Sequence, residues 1–259
     1  MKQFCAVAAV LAIASSASAA VIYKIQSATT GVQAATISGT VTVDGSHLRM
    51  DITTGDNTLF KDNDIVLSTD GGRTMSIYDP ASRTYFDLQL DQILSSSTAM
   101  LNGLGGMVKI SFNNPHAAVT DSGDGGTIEG YPTRKYVLDA SYDIVINAMG
   151  QKMTSHFTMN TESWNTDQLS SDLSNFLQTR GIRTGIEALD KLIEAQQNGM
   201  RGFPLKQVST VNMNDMVMST TSSVHDIQRR AIDGSQFTPP SGYSKVDDPI
   251  TRMVKQLKQ

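Results

Sequence analysis

Ile37-Ser-Gly-Thr-Val41-Thr-Val43-Asp44-Gly45-Ser-His47-Leu48-Arg49-Met50-Asp51-Ile52 is the stretch from which the fold follows. Ile37, Val41 and Val43 alternate with Thr36, Ser38, Thr40 and Thr42, the period of a strand with one apolar face. Asp44-Gly45 supplies a tight turn, because a type I′ hairpin needs positive φ and Asp-Gly tolerates it. Beyond it Leu48, Met50 and Ile52 restart the apolar phase against His47, Arg49 and Asp51. An antiparallel hairpin with one covered and one wet face is the expectation.

The pattern extends both ways. Val21, Tyr23 and Ile25 alternate before it, and 65–68, 74–78 and 84–88 read as further strands, separated by Asp70-Gly71-Gly72 and Asp79-Pro80-Ala81-Ser82. From Gln89 to Leu104 the spacing of Leu90, Ile93, Leu94, Met100, Leu101 and Leu104 turns helical. Strands resume with Val108, Ile110 and Phe112, and Asp121 to Gly126 reads as a polar, glycine-rich turn. Tyr131 to Asp139 reads as one strand, and Ser141 to Ala148 against Lys152 to Trp164 as a separate hairpin turned at Met149-Gly150. Leu169, Leu173, Phe176 and Leu177 share a helical face that Gly181 ends. Thr184-Gly-Ile-Glu187 has the spacing of a capping box ahead of the stripe Ile186, Leu189, Leu192 and Ile193, which Gly199 terminates. A final hairpin, 204–211 against 216–224, precedes an irregular closing loop, Phe237 to Tyr243. The expected fold is mainly β with a few helices, a single domain over 20–248, followed by a basic tail, 249–259, that frays. In the tail Arg252, Lys255 and Lys258 lie beside Met253, Val254 and Leu257, a composition compatible with contact to a membrane surface.

Residues 1–19 read as a leader. Lys2, an apolar run from Phe4 to Ala14 and the small-residue end Ala17-Ser-Ala19 describe a cleavable secretory signal, with processing after Ala19. The run is shorter than the ~20 residues that cross a bilayer. Cys5, the only cysteine of the 259 residues, leaves with it. The mature chain therefore has no thiol or disulfide chemistry, and a soluble periplasmic protein is the expected class. The formal net charge is −4, and loss of Lys2 makes it more negative. That balance argues against nucleic acid, which demands clustered positive charge.

No catalytic motif emerges. His47, His116, His156 and His225 are isolated, without the convergent spacing of a metal site. Gly-x-Ser-x-Gly and the other nucleophile signatures are missing, so neither an enzyme nor a cofactor is expected. Asp121-Ser-Gly-Asp124-Gly-Gly and Lys61-Asp62-Asn63-Asp64 do not reproduce the D-x-D-x-D-G-x5-E order of a calcium loop and read as turns. Methionine is the one unusual residue, 13 in all. Met213, Met216 and Met218 are spaced as soft ligands for Cu(I) would be. Yet Met50, Met75, Met153, Met159, Met216 and Met218 mostly fall on apolar strand phases, where an unbranched thioether fills irregular space and suits ligands of variable shape.

Four stretches carry a family resemblance. They are Gly45-Ser-His-Leu-Arg49-Met-Asp51, Ser76-Ile-Tyr-Asp-Pro80-Ala-Ser-Arg-Thr-Tyr85, Gly202-Phe-Pro-Leu-Lys206 and Phe237-Thr-Pro-Pro-Ser-Gly-Tyr243. Together they make the chain similar to secreted bacterial domains of the lipoprotein-localisation-factor superfamily. The resemblance implies a strongly curved antiparallel sheet, an unclosed barrel, with helices across its concave face and acyl chains held between. Transfer of lipoproteins is not implied, because no residue here matches a carrier's gating arginine. On this reading Leu48, Met50, Ile52, Met75, Ile77, Leu173, Phe176, Leu189 and Ile193 line a site for a lipid, an acyl chain or another hydrophobic ligand. The alternatives are an envelope interaction module with a packed core, docking to another envelope protein, and Cu(I) handling through Met213, Met216 and Met218.

Overall fold

The computed structural model describes residues 19–32, 34–89, 108–148, 150–169, 173, 186–214, 216–249 and 251–252. The expected leader, Ala19 excepted, and the helical stretch at 90–104 lie outside these residues, as do Phe176, Leu177, Gly181, Thr184 and most of the tail.

One sheet of twelve strands organises the chain: β1 (Ala20–Gly31), β2 (Ala35–Asp44), β3 (His47–Gly55), β4 (Ile65–Ser68), β5 (Thr74–Asp79), β6 (Thr84–Gln89), β7 (Val108–Ile128), β8 (Tyr131–Ala148), β9 (Gln151–Thr166), β10 (Phe203–Met213), β11 (Met216–Arg230) and β12 (Ser244–Lys245). Their order is β12-β6-β5-β4-β3-β2-β1-β11-β10-β9-β8-β7, so the sheet is open, and all neighbours but β12 and β6 are antiparallel. The opening hairpin forms as its alternation requires, pairing Val43 with Leu48 and Val41 with Met50 around Gly45 at φ +58°. Gly39 sits at a bulge where β2 and β3 approach closely. A Cβ there would lie 2.4 Å from the Asp51 carbonyl oxygen.

Several boundaries differ from the sequence reading. Asp121 to Gly126 is not a turn but the far part of β7, kinked by bulges at 121/123 and 124/126; Gly123 and Gly126 take the positive φ these need, and the chain reverses at Glu129-Gly130. Tyr131 to Ala148 is one strand rather than two. The closing loop is more regular than expected: a 3₁₀ turn at Gly234–Phe237 leads to β12, which pairs in parallel with Thr84 and Tyr85. A single α-helix is described, α1 (Glu187–Gly199). Its N-cap is Ile186, which makes no side-chain capping bond; Thr184 of the expected capping box lies outside the described residues. Gly199 is the last helical residue, and its stronger constraint is packing: a Cβ would fall 2.4 Å from Cβ of Val119 on β7.

The sheet is strongly curved. β8 is the third strand from β11, so in a flat sheet the two would be ~14 Å apart. Yet Glu129, in the β7–β8 turn, accepts from the Asp226 amide at 3.0 Å and meets His225 Nδ1 at 3.3 Å. Ile128 and Tyr131 beside that turn pack against the core that β1–β6 share with Phe203 and Leu205 of β10 and Val224 of β11. The far end of the sheet has curled back on its centre without closing a ladder. Leu169, closing a 3₁₀ turn at Asp167–Leu169, and Leu173 join the core of β1–β6, whereas α1 packs on β7 and β8. Both open edges are blunted, as an unclosed sheet requires. β7 has a bulge around Pro115 and α1 across it; β6 is covered by β12 and by Tyr243, edge-on to Tyr78 at 5.4 Å.

Candidate functional site

The concave face divides into two apolar halves. In the first, the predicted residues Leu48, Ile52, Ile77 and Leu173 belong to one buried cluster with Val21, Val43 and Leu205, and Met50 and Met75 pack against it. Exposures of 1% for Ile77, 2% for Leu173 and 0% for Leu205 mean that these side chains border no solvent-sized void. Tyr23 meets Phe203 edge-on at 5.5 Å, and burial pushes its phenol well above the usual range. This half is a packed core.

The second half is looser. Leu189 and Ile193, the other two described residues predicted to line a site, lie on α1 at the opposite edge of the sheet from Ile77. Neither they nor Leu192 are fully buried. Alternation places Phe112 of β7, Tyr142, Ile144 and Ile146 of β8, and Phe157 and Met159 of β9 on the same side as Val119, which touches α1. Of these six only Tyr142 is buried. Tyr136, Leu138 and Ala140, earlier on the same phase of β8, are buried too, so the looseness is confined to the end of the strands near the β8–β9 turn. Tyr142 stacks on Phe157 at 4.4 Å and meets Phe112 edge-on at 5.8 Å. Tyr142, Ile144 and Ile146 alternate plainly in the sequence, a signal that could have added β8 to the predicted lining.

Between the halves the concave face turns polar. Ser27 pairs with Ser222 (2.9 Å), Thr29 with Thr220 (2.9 Å) and Thr161 with Ser209 (2.9 Å) through their hydroxyls. Gln207 donates to Ser163 at 3.2 Å, Ser163 to Asn165 at 2.6 Å, and Asn165 to the Arg201 carbonyl at 2.9 Å. Register sets these groups side by side in two rows across β1, β11, β10 and β9. The next row toward the β10–β11 turn is apolar again, Met218, Val211 and Met159; the row on the other side holds Ile25 and Val224. No Asp, Glu, Lys, Arg or His falls on the concave phase of these four strands between the two apolar rows.

The remaining candidates scatter. Met213 and Met216 face each other across the β10–β11 turn, with Met218 on the same face of β11. His156 pairs with Asp143 at 2.8 Å, which holds that carboxyl below its ordinary range, and His47 lies against Phe237. On the convex side Trp164, the only tryptophan, has the Lys135 and Lys206 ammonium groups 4.9 and 4.8 Å from its ring. Among the described residues no group of three or more His, Cys, Asp or Glu could hold a metal ion, and no helix is long and apolar enough to cross a membrane. Asp64 is buried and its Oδ1 has no hydrogen-bond partner; burial raises its pKa.

No curated protein matches the chain. Solved structures with a similar chain path include a LolA superfamily protein from Nitrosomonas europaea, at 12% identity over 86% of this chain and 91% of that one, with a TM-score of 0.37. PNGF-II is 13% identical over 92% of this chain and 33% of that one, TM-score 0.35. An outer membrane lipoprotein-sorting protein domain from Vibrio parahaemolyticus is 9% identical over 85% and 89%, TM-score 0.32. Likenesses this distant carry no argument about chemistry. A family model described as a domain of unknown function, DUF4412, matches residues 27–243. The chain belongs to the DUF4412 family.

Proposed function

We propose that this DUF4412 member is an exported, periplasmic, non-enzymatic binding protein that holds the apolar tail of a lipid or other amphiphile between α1 and the concave face of β7–β9. One observation carries the reading. An apolar tract built on Phe112, Ile144, Phe157 and Met159 stays half-buried beside a helix that packs on β7 and β8 and whose own Leu189 and Ile193 are half-buried too. An uncommitted apolar surface of this kind marks a binding site more often than a structural accident. Each methylene of a chain laid there would contribute about 0.8 kcal/mol. A dozen carbons then outweigh the cost of immobilising the ligand. The leader read in residues 1–19 supports export, and Ala20, the residue after the expected cleavage point, opens β1.

The site so defined is narrower than the nine residues expected from the sequence. Leu189 and Ile193 stay in it; Leu48, Met50, Ile52, Met75, Ile77 and Leu173 act as the core that fixes the sheet's curl. Native mass spectrometry of gently purified protein with extraction of bound lipid tests this, together with titration by 1-N-phenylnaphthylamine. Repeated recovery of empty protein with no response to the dye would overturn it and leave an interaction module with a packed core.

A second reading has one observation of its own. The pairing of Met213 with Met216, and Met218 on the same face, brings three thioethers within reach of one soft ion. Competition with a Cu(I) chelator, repeated on the Met213→Leu, Met216→Leu, Met218→Leu triple variant, decides it: equal retention of Cu(I) by both proteins would exclude these ligands.

A further inference from the structure

We infer that the amphiphile carries an uncharged, hydroxyl-bearing headgroup, seated on the polar rows between the two apolar halves; this rests on the binding function proposed above. A sheet face that served only as core would have no use for two rows of hydroxyl and amide groups across four adjacent strands, since each costs desolvation that packing an aliphatic side chain would avoid. These rows lie beside the half-open tract. Thr161 is two residues from Met159 on β9, and Ser209 two from Val211 on β10. A tail lying over Met159 and Phe157 would bring its polar end to Ser209, Thr220 and Thr29, which stay partly open beside the buried Thr161.

The proton inventory shows what they can accept. In the pairs Ser27–Ser222, Thr29–Thr220 and Thr161–Ser209 one hydroxyl donates to the other. Each pair spends one hydrogen and leaves the second free to donate, along with unused lone pairs on both oxygens. The rows can therefore both give and take hydrogen bonds, as a glycerol or sugar hydroxyl requires. They offer no counter-charge. The nearest ionic groups on the concave phase of β7 and β8, Asp121 and Arg134, bind each other, and the exposed Arg201 beside them adds its charge to that same carboxylate. A phosphate or carboxylate placed on the rows would lose water without gaining a cation, which disfavours it strongly.

The experiment compares monooleoylglycerol with lyso-oleoylphosphatidylglycerol, which has the same acyl chain and an anionic headgroup, by displacement of 1-N-phenylnaphthylamine from the full mature chain. The expected result is about hundredfold weaker binding of the anionic lipid. The paired Thr29→Val, Thr220→Val variant removes both partners together and leaves neither group orphaned, so the fold is retained. It should bind monooleoylglycerol about tenfold more weakly while leaving lyso-oleoylphosphatidylglycerol unchanged. Equal affinity of the wild-type chain for both lipids, or an unaltered monooleoylglycerol affinity in the variant, overturns the headgroup assignment and leaves tail binding intact. Failure of both lipids and of the dye to bind removes the binding function and the assignment with it.

Discussion

The β1–β6 half of the concave face and its β7–β9 half are made of the same kinds of residue, yet one is sealed throughout and the other only around Tyr136, Leu138, Ala140 and Tyr142. Over β1–β6, Leu169 and Leu173 are pressed into a cluster whose central members expose 3% or less of their surface. Over β7–β9 the covering element is a helix with no side-chain N-cap, resting through Gly199 on Val119. Burial of apolar area therefore stabilises the first half, while the second keeps apolar area in reserve. The lesson is that hydrophobic content alone does not separate a core from a site; completeness of cover does.

The largest test of this contrast compares equivalent truncations. Ile77→Ala should cost about 2–5 kcal/mol, the loss of a fully enclosed side chain plus the cavity it leaves. Leu189→Ala should cost about 1 kcal/mol, because much of that side chain is already wet. Urea unfolding followed by the fluorescence of Trp164 reads both, and equal costs would erase the distinction between the halves. Dye affinity should show the reverse order, with Leu189→Ala weakening it several-fold and Ile77→Ala leaving it near the wild-type value.

Gly199→Ala comes next. Its methyl would overlap Val119, so α1 must lift from β7 at a cost of about 1–3 kcal/mol. Hydrogen exchange should quicken in 187–199 and stay unchanged in 41–52; uniform loss of protection would mean that the halves are one cooperative unit.

The smallest effect concerns Asp64, at the edge of the sealed half. Burial raises its pKa in the folded protein, with the nearby Asp79 charge adding to the rise, while the Lys61 amide opposes both. The folded state thus favours the protonated carboxyl. Its contribution is fully present below the unfolded pKa and is lost as pH rises through the folded one. Asp64→Asn retains an acceptor for the Lys61 amide and has no charge to bury. The variant should match wild type in acid and surpass it as pH climbs toward neutrality. A stability gap independent of pH between the two would dispose of the charge argument.

Much of the sealed half was legible in the sequence, because alternation at Leu48, Met50 and Ile52 has one physical explanation and a two-residue turn fixes its register. Strand order was not legible. That β1 lies between β2 and β11, and that β7 ends on an edge under α1, depends on contacts between residues nearly two hundred positions apart. The predicted lining therefore merged two surfaces that the fold keeps separate. Asp121 to Gly126 was misread because Asp, Ser and Gly favour turns and bulges for the same reason, tolerance of positive φ. The polar rows escaped notice because Ser27 to Thr30 are small or hydroxylated on both phases, so nothing in that segment marks which side faces inward.

Glu129 reaching His225 and Asp226 has a further consequence. In a closed barrel, circumference is fixed by strand number and shear. Here the final wrap is secured by one carboxylate and by side-chain contact, with no ladder completed between β7 and the opposite margin. The girth of the enclosed space can accordingly widen or narrow while every interstrand hydrogen bond survives, so that, on the binding function proposed above, a single sequence would accommodate guests of different bulk.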